Sequence, residues 1–461
     1  MSDTICALST PPGLAALGII RLSGPEAGSI CDLRFRPRSS FGLPSHMKGY
    51  TMAYGSWTDD QGQVLDQVIL AAFRAPHSYT GEDLYEISFH GGSQVRNSIL
   101  ESLLASGARP ASAGEFSKRA FLNGKLDLAQ AEAVMDLIEA ESRLQQDQAL
   151  RDLSGSLSQA VEDLKDQVLT LMAHLENILE FSEENAESSD IVGLKEGLKP
   201  IRTSIQQALA HWSQGRILND KFRVCILGLP NAGKSTLLNA LMGLDRAIVS
   251  DVSGTTRDTL EANLQVAGIP VLLTDTAGLR QTADLVEREG VDRALTAAQA
   301  ADLVFWLHDP QRLPESQEAL ASYRSTAPDQ KILALLGKQD LYSEAERRTQ
   351  AQALGPEPVL AWSQVHPELL DPIRDQIKAA YDSLGSGQAG NIFLHNLRHK
   401  ALLEEAKQAL DMAAQSLDDP GALDMTAAML RSAEEALASL SGSQVSDELV
   451  ESIFSRFCVG K

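Results

Sequence analysis

Aromatic residues are scarce in this chain of 461, at 5%, and cysteine is scarcer, with only Cys6, Cys31, Cys225 and Cys458. The four are scattered and form no Cys-x-x-Cys pair, which argues against a disulfide framework and a thiolate zinc site. Positive charge is also short: 40 Lys and Arg stand against 62 Asp and Glu, a formal charge of −22. Such a surface repels polyanions, so contact with nucleic acid requires a local basic patch, a shaped pocket or a partner subunit. No apolar run is long enough to cross a bilayer, so no membrane insertion is expected. Residues 1–20 are interrupted by Pro11-Pro12-Gly13 with no basic stretch ahead of them, unlike a signal peptide. The nine histidines show no ligand spacing, and no transition metal is expected. A reducing cytoplasm fits, and the length predicts about three domains.

What the chain does have is one decisive stretch, Gly228-Leu229-Pro230-Asn231-Ala232-Gly233-Lys234-Ser235. It follows the apolar run 222–227 and opens onto Thr236-Leu237-Leu238-Asn239-Ala240-Leu241, giving strand, glycine loop and helix. Glycines let successive N–H groups converge on phosphate oxygens, Lys234 reaches the β and γ phosphates, and Ser235 suits Mg²⁺. The pattern predicts a nucleoside triphosphate site.

Three regions differ in period. Up to about residue 119, short apolar runs at 18–22, 50–57, 64–73 and 84–89 are separated by turn signals such as Asp59-Asp60-Gln61-Gly62, which predicts an α+β fold. Val161, Leu164, Val168, Leu171, Leu175 and Ile178 then recur in steps of three and four along one stripe of a long helix. The polar run 182–190 is expected to end it as a loop. Between 221 and about 383, apolar strands at 271–274, 303–307 and 332–336 alternate with helical stretches, as in a doubly wound α/β domain. Helical spacing returns at Leu394, Leu397, Leu402, Ala406 and Leu410, so the α/β unit is a candidate insertion in a helical domain.

The glycine loop alone leaves ATPase, kinase and GTPase open. Asp275-Thr276-Ala277-Gly278 closes a strand, where an Asp can hold the Mg²⁺ shell and a Gly N–H can meet the γ-phosphate. Gly254-Thr255-Thr256-Arg257-Asp258 offers a Thr hydroxyl to Mg²⁺. Gly337-Lys338-Gln339-Asp340 supplies a carboxylate for the two donors of guanine, although GTPases usually carry Asn where Gly337 stands. The segment Ala361-Trp362-Ser363-Gln364 only partly matches the loop that presents an N–H to the base. Leu279 occupies the place of the water-positioning Gln of many GTPases and has no polar atom, so another group must do that work.

Residues 228–235 with Asn231, 254–258, Asp275-Thr276-Ala277-Gly278-Leu279-Arg280, the block 114–132 from Gly114-Glu115-Phe116 onward, and the terminal Phe457-Cys458-Val459-Gly460-Lys461 together closely resemble the tRNA-modification GTPase MnmE (TrmE) family, over the whole chain. The resemblance implies a multidomain α/β plus α fold. Residues 1–120 would form an α+β folate-binding and dimerisation domain, 121–216 and 384–461 a helical domain in two parts, and 217–383 an inserted, doubly wound Ras-like P-loop G domain. It implies that GTP contacts Asn231, Ala232, Gly233, Lys234, Ser235, Thr236, Ser250, Asp251, Val252, Ser253, Gly254, Thr255, Thr256, Asp275, Thr276, Ala277, Gly278, Lys338 and Asp340. Mg²⁺ would be held by Ser235 and Thr256, and K⁺ by Asn231, Ser250, Val252 and Thr255. Glu287 would orient the hydrolytic water, with Lys234 beside it in catalysis; without the resemblance Glu287 reads as a solvated helix-face carboxylate. Arg21, Glu86, Lys125 and Lys461 would surround a tetrahydrofolate derivative, 5-formyl- or methylene-tetrahydrofolate.

The implied activity is that of a cytoplasmic, homodimeric, K⁺-activated GTPase. Paired with the flavin-dependent MnmG (GidA) in a heterotetramer, it would place an aminomethyl or carboxymethylaminomethyl group on C5 of wobble uridine 34 of certain tRNAs. A ribosome-assembly GTPase and a folate-binding scaffold with a degenerate G domain are the alternatives from other classes.

Overall fold

The computed structural model describes residues 3–38, 42–181, 188–212, 215–217, 221–244, 260–275, 295–354, 359–383 and 392–460. The chain forms two compact units, Met1–Glu139 with Ala149–Ala186 and Gln415–Lys461, and Ala140–Gln148 with Glu187–Ala414.

Seven strands build the sheet of the first unit: β1 (Ile5–Leu8), β2 (Leu17–Ser23), β3 (Phe35–Pro37), β4 (Thr51–Thr58), β5 (Val64–Phe73), β6 (Leu84–His90) and β7 (Arg109–Pro110). Their order is β3-β4-β5-β6-β2-β1-β7, antiparallel throughout except for β1 with β7. The predicted turn between β4 and β5 is closed by Asp59, whose Oδ1 accepts from the backbone N–H of Gln61 and Gln63 at 2.9 and 2.8 Å. Period-2 alternation sends Tyr85, Ile87 and Phe89 into a core shared with Ile30 and Cys31 of the helix Ala27–Arg34 and Ile99 and Leu103 of Ser93–Ala105. The opposite face keeps Met52, Tyr54 and Ile69 exposed and Arg21 and Glu86 half-buried.

All six residues of the predicted stripe 161–178 are buried in the helix Ser156–Phe181, which packs against Leu423–Ser441. Of the expected loop 182–190, residues 188–190 belong to the helix Ser188–Ala210, since Ser and Asp suit a helix start as well as a turn, and 182–187 lie outside the described residues. In Leu397–Ser416 the buried stripe is Leu403, Ala406, Leu410 and Ala413, with Leu397 exposed at the helix start. The expectation for Leu402 is one residue early, because the five-residue step from Leu397 to Leu402 leaves the helical face.

The second unit contains β8 (Phe222–Leu227), β9 (Leu260–Val266), β10 (Ile269–Asp275), β11 (Leu303–His308), β12 (Ile332–Leu336) and β13 (Val359–Ala361), ordered β13-β12-β11-β8-β10-β9. All pairs are parallel except β9 with β10. That antiparallel edge comes from a two-residue turn at Ala267 and Gly268, both at positive φ (51° and 84°), between the paired Val266 and Ile269. Every residue of β11 is buried, as in a strand covered on both faces. Progress from β8 goes first to β10 on one side and then to β11 on the other. The sheet order therefore reverses at β8, and in open α/β sheets it is beyond the carboxyl end of such a strand that ligands bind. The fold is thus multidomain, α/β plus α.

Candidate functional site

The glycine loop leaves β8 at that reversal and enters the helix Lys234–Leu244. Gly228 has φ 146°, and a Cβ there would stand 2.3 Å from the carbonyl oxygen of Leu307 on β11, so no larger residue fits. Asn231 holds φ 66°, a left-handed conformation that Asn tolerates better than most side chains. Lys234 is buried, and its Nζ donates to the carbonyls of Gly228 and Leu229 at 2.9 and 3.0 Å. These two carbonyl contacts hold the ammonium over the loop, where phosphate oxygens can replace them. Ser235 and Thr236 occupy the first helical turn, whose N–H groups have no partner within the helix and favour an anion. Asp275 ends β10 in register with Ile226 on β8, which brings the two strand ends to one edge.

Beside this cradle lies the base loop. The N–H of Gly337 donates to the carbonyl of His308 at 3.0 Å. Lys338 adopts φ 54°, and its Nζ pairs at 2.8 Å with Oδ2 of the buried Asp309. Ser363 donates its hydroxyl to Asp340 Oδ1 at 2.6 Å and thereby holds that carboxyl below the usual carboxylate range. Asp340 is thus an anion with one oxygen braced, suited to accept two N–H groups from a base edge. His308, wholly buried, is bonded through Nδ1 to Ser316 Oγ at 2.8 Å, and burial pushes its imidazole down to about 4. The brace by Ser363 and the pair Lys338–Asp309 are not foreshadowed by the sequence motifs. The only signal for the first is the imperfect loop 361–364.

In the first unit, Arg21 and Glu86 face each other across β2 and β6 and form an ion pair at 2.8 Å. The Arg21 guanidinium lies 5.4 Å from the ring centre of Tyr79, whose hydroxyl meets Ser117 Oγ at 2.7 Å. Lys125 packs near the same loop, its Cγ 3.2 Å from where a Cβ on Gly81 would stand. The C-terminal segment docks here too. Val459 bridges to Ala113, Ser9 Oγ donates to the carbonyl of Gly460 at 3.1 Å, and a Cβ on Gly460 would fall 2.1 Å from the Leu8 carbonyl. Leu8 follows Ala7, the register partner of Arg21. Cys458 is exposed and Cys225 is buried in β8.

A second charged cluster in this unit is not anticipated by any motif. Arg119, with a side chain only 10% exposed, bonds Asp3, Glu82 and Glu115, and Arg109 bonds Asp3 and Glu115. The guanidiniums hold Asp3 and Glu115 below the usual carboxylate range. A cavity of about 340 Å³ is lined by Glu82, Arg109, Glu115, Lys118, Arg119 and Glu451. Its charges are already paired with one another, Lys118 with Glu451. Ser250, Asp251, Val252, Ser253, Gly254, Thr255, Thr256, Thr276, Ala277, Gly278, Glu287 and Lys461 lie outside the described residues. Among the described residues there is no cluster of His, Cys, Asp and Glu able to hold a metal ion, and no helix long and apolar enough to cross a membrane.

Two family models match, the GTP-binding protein TrmE N-terminus over residues 4–125 and the MnmE helical domain over residues 128–458. The tRNA modification GTPase MnmE of Thermus thermophilus is 41% identical over 462 residues, covering 100% of both chains. The chain belongs to the MnmE family. MnmE proteins of Listeria innocua and Geobacillus thermodenitrificans are each 38% identical, over 462 and 468 residues, covering 100% of this chain and 99% of theirs. As an MnmE-family protein it is a GTP hydrolase of tRNA modification, and binding of GTP and Mg²⁺ follows from that membership.

Proposed function

We propose that this chain is a K⁺-activated GTPase that acts as a homodimer. In the cytoplasm it would work with the flavin-dependent MnmG (GidA) to install an aminomethyl or carboxymethylaminomethyl group on C5 of uridine 34 of certain tRNAs. The observation that carries the reading is the docked C-terminus: residues 459–460 lie on Ala113 and on Leu8, next to the partner of Arg21. A pure nucleotide switch has no use for a tail laid beside a charged sheet face. Lys125 and Lys461 suit the glutamate-tail carboxylates of a tetrahydrofolate derivative, and Glu86, held by Arg21 at 2.8 Å, suits the donors of its pterin edge. The exposed Met52, Tyr54 and Ile69 on that face suit a second copy. The division at 1–120, 121–216, 217–383 and 384–461 belongs to the same reading.

At the phosphate end, Lys234 and the first-turn N–H groups bind the triphosphate, Ser235 and Thr256 are the protein ligands for Mg²⁺, and Asn231 joins Ser250, Val252 and Thr255 around K⁺. The cations supply compensation for charge that develops on the transferring phosphoryl oxygens. Asp251, Ser253, Gly254, Thr276, Ala277 and Gly278 line the nucleotide, and Glu287 orients the water that Leu279 has no means to hold. The test is twofold. Hydrolysis should be fast in K⁺ and slow in Na⁺, and Asn231→Ala should abolish that difference with nucleotide binding retained. Mass analysis of tRNA from cells lacking the protein should show uridine 34 without the C5 group. Turnover indifferent to the cation, or intact modification, overturns the respective half.

A further inference from the structure

In most GTPases a side chain stands where this chain has Gly337, and the geometry there is restrictive. A Cβ on Gly337 would lie 3.2 Å from the carbonyl oxygen of Ala232 in the glycine loop and 3.3 Å from that of His308. Position 337 therefore faces the phosphate loop, and glycine brings no polar atom to link the two loops. The next residue but one has an unexpected environment. Gln339 is 1% exposed, and its backbone N–H donates to the carbonyl of Trp362 at 3.1 Å. Its Nε2 donates to the carbonyl of Gly337 and to Oε1 of Gln350, both at 3.2 Å, while its own Oε1 is buried without a partner. Burying an amide with one end unsatisfied costs stability, and an apolar residue would fill the position without that cost.

We propose that Gln339 is the positioning residue of the base site. It takes over from inside the loop the anchoring that position 337 does not give, and it sets the carboxylate of Asp340. The inference rests on the reading of Asp340 as the acceptor of the guanine N–H groups. Through Gln339 the loop is tied to the strand-end residue Trp362 and to the helix Glu344–Ala353, which carries Gln350. Trp362 in turn donates its N–H to the Leu336 carbonyl at 2.7 Å, and the adjacent Ser363 braces Asp340. The base loop thus takes its position from the β12–β13 side of the sheet.

The test compares GTP with inosine triphosphate, which lacks the 2-amino donor and so reports on Asp340. In the full-length protein, Gln339→Met should weaken GTP binding by roughly three- to tenfold, and inosine triphosphate by much less. The loss should fall on Kd and KM far more than on kcat. Gln350→Leu, on a more accessible helix face, should act in the same direction with a smaller effect and serves if Gln339→Met folds poorly. Gly337→Asn combined with Gln339→Met should recover part of the GTP preference, because an amide at 337 can reach the Ala232 carbonyl. Equal weakening of both nucleotides, or undiminished preference for GTP in both single variants, overturns the role of Gln339. A wild-type protein without preference, or an Asp340→Ala variant that keeps it, overturns the Asp340 reading instead.

Discussion

The glycine loop with its base loop and the Arg119 cluster handle charge differently. In the first, Lys234 donates to two carbonyls and Asp340 accepts from one hydroxyl, neutral partners that a ligand's oxygens or donors can replace, while Lys338 is paired with Asp309. In the second, Arg119 is answered by Asp3, Glu82 and Glu115, with partners up to 116 positions away in sequence. Charges that hold elements together contribute to folding, whereas charges left for a ligand contribute to binding and chemistry. Removing a charge should therefore have different consequences in the two units.

The largest effect is expected at Glu287, proposed to act on the water. Glu287→Ala should lower single-turnover hydrolysis by roughly 10²–10⁴-fold with unfolding midpoint and GTP affinity nearly unchanged. Near-normal hydrolysis in rapid-mixing experiments would remove it from the mechanism. Arg119→Met is the counterpart in the other unit. It leaves three carboxylates without their buried guanidinium and should cost about 3–5 kcal/mol of stability in denaturant titrations, with GTP affinity retained. A variant as stable as the parent would break the comparison.

Acid should separate the units further. His308 has a folded pKa of about 4, below its ordinary 6.5, so the unfolded chain binds that proton more tightly. Its contribution is fully present above about pH 6.5 and is lost as pH falls towards 4, by on the order of 1–3 kcal/mol. Asp3 and Glu115 are also lowered, but from carboxylate values, so their contribution persists at pH 5 and is lost only as pH falls below the ordinary carboxylate range. Site-resolved hydrogen exchange between pH 7 and 5 should show the nucleotide unit weakening first. Simultaneous weakening would sink the distinction. The smallest effect belongs to Ser363→Ala, which removes the brace on Asp340 and should weaken GTP binding by roughly two- to threefold. Calorimetry at matched pH measures it, and an unchanged affinity would show that the brace is idle.

How legible each feature is depends on the range of its interactions. The glycine loop, the strand before it and the stripe from Val161 to Ile178 repeat over a few residues, and the structure places them as the spacing implies. The turn at Ala267-Gly268 is hidden in the sequence because Ala carries no preference for positive φ, and the edge strand β9 is hidden with it. The Arg119 cluster and the docking of Gly460 on Leu8 leave no periodic trace, since each joins distant segments through single contacts. Arg21 and Glu86 are named as one site by the resemblance, and their cross-strand pairing follows from a register that strand patterns alone do not set.

The seat of Gly460 sets a clock on synthesis. Ser9 and Gly460 are 451 positions apart, so at about 5–20 residues per second the tail leaves the ribosome roughly 20–90 seconds after the strand it covers. Until then Leu8 and Ser9 lack the segment that lies against them in the folded chain. A chain broken off a handful of codons before Gly460 would still carry every residue proposed to bind the nucleotide and would lack this contact, so the docked segment doubles as a sign that translation has run past it.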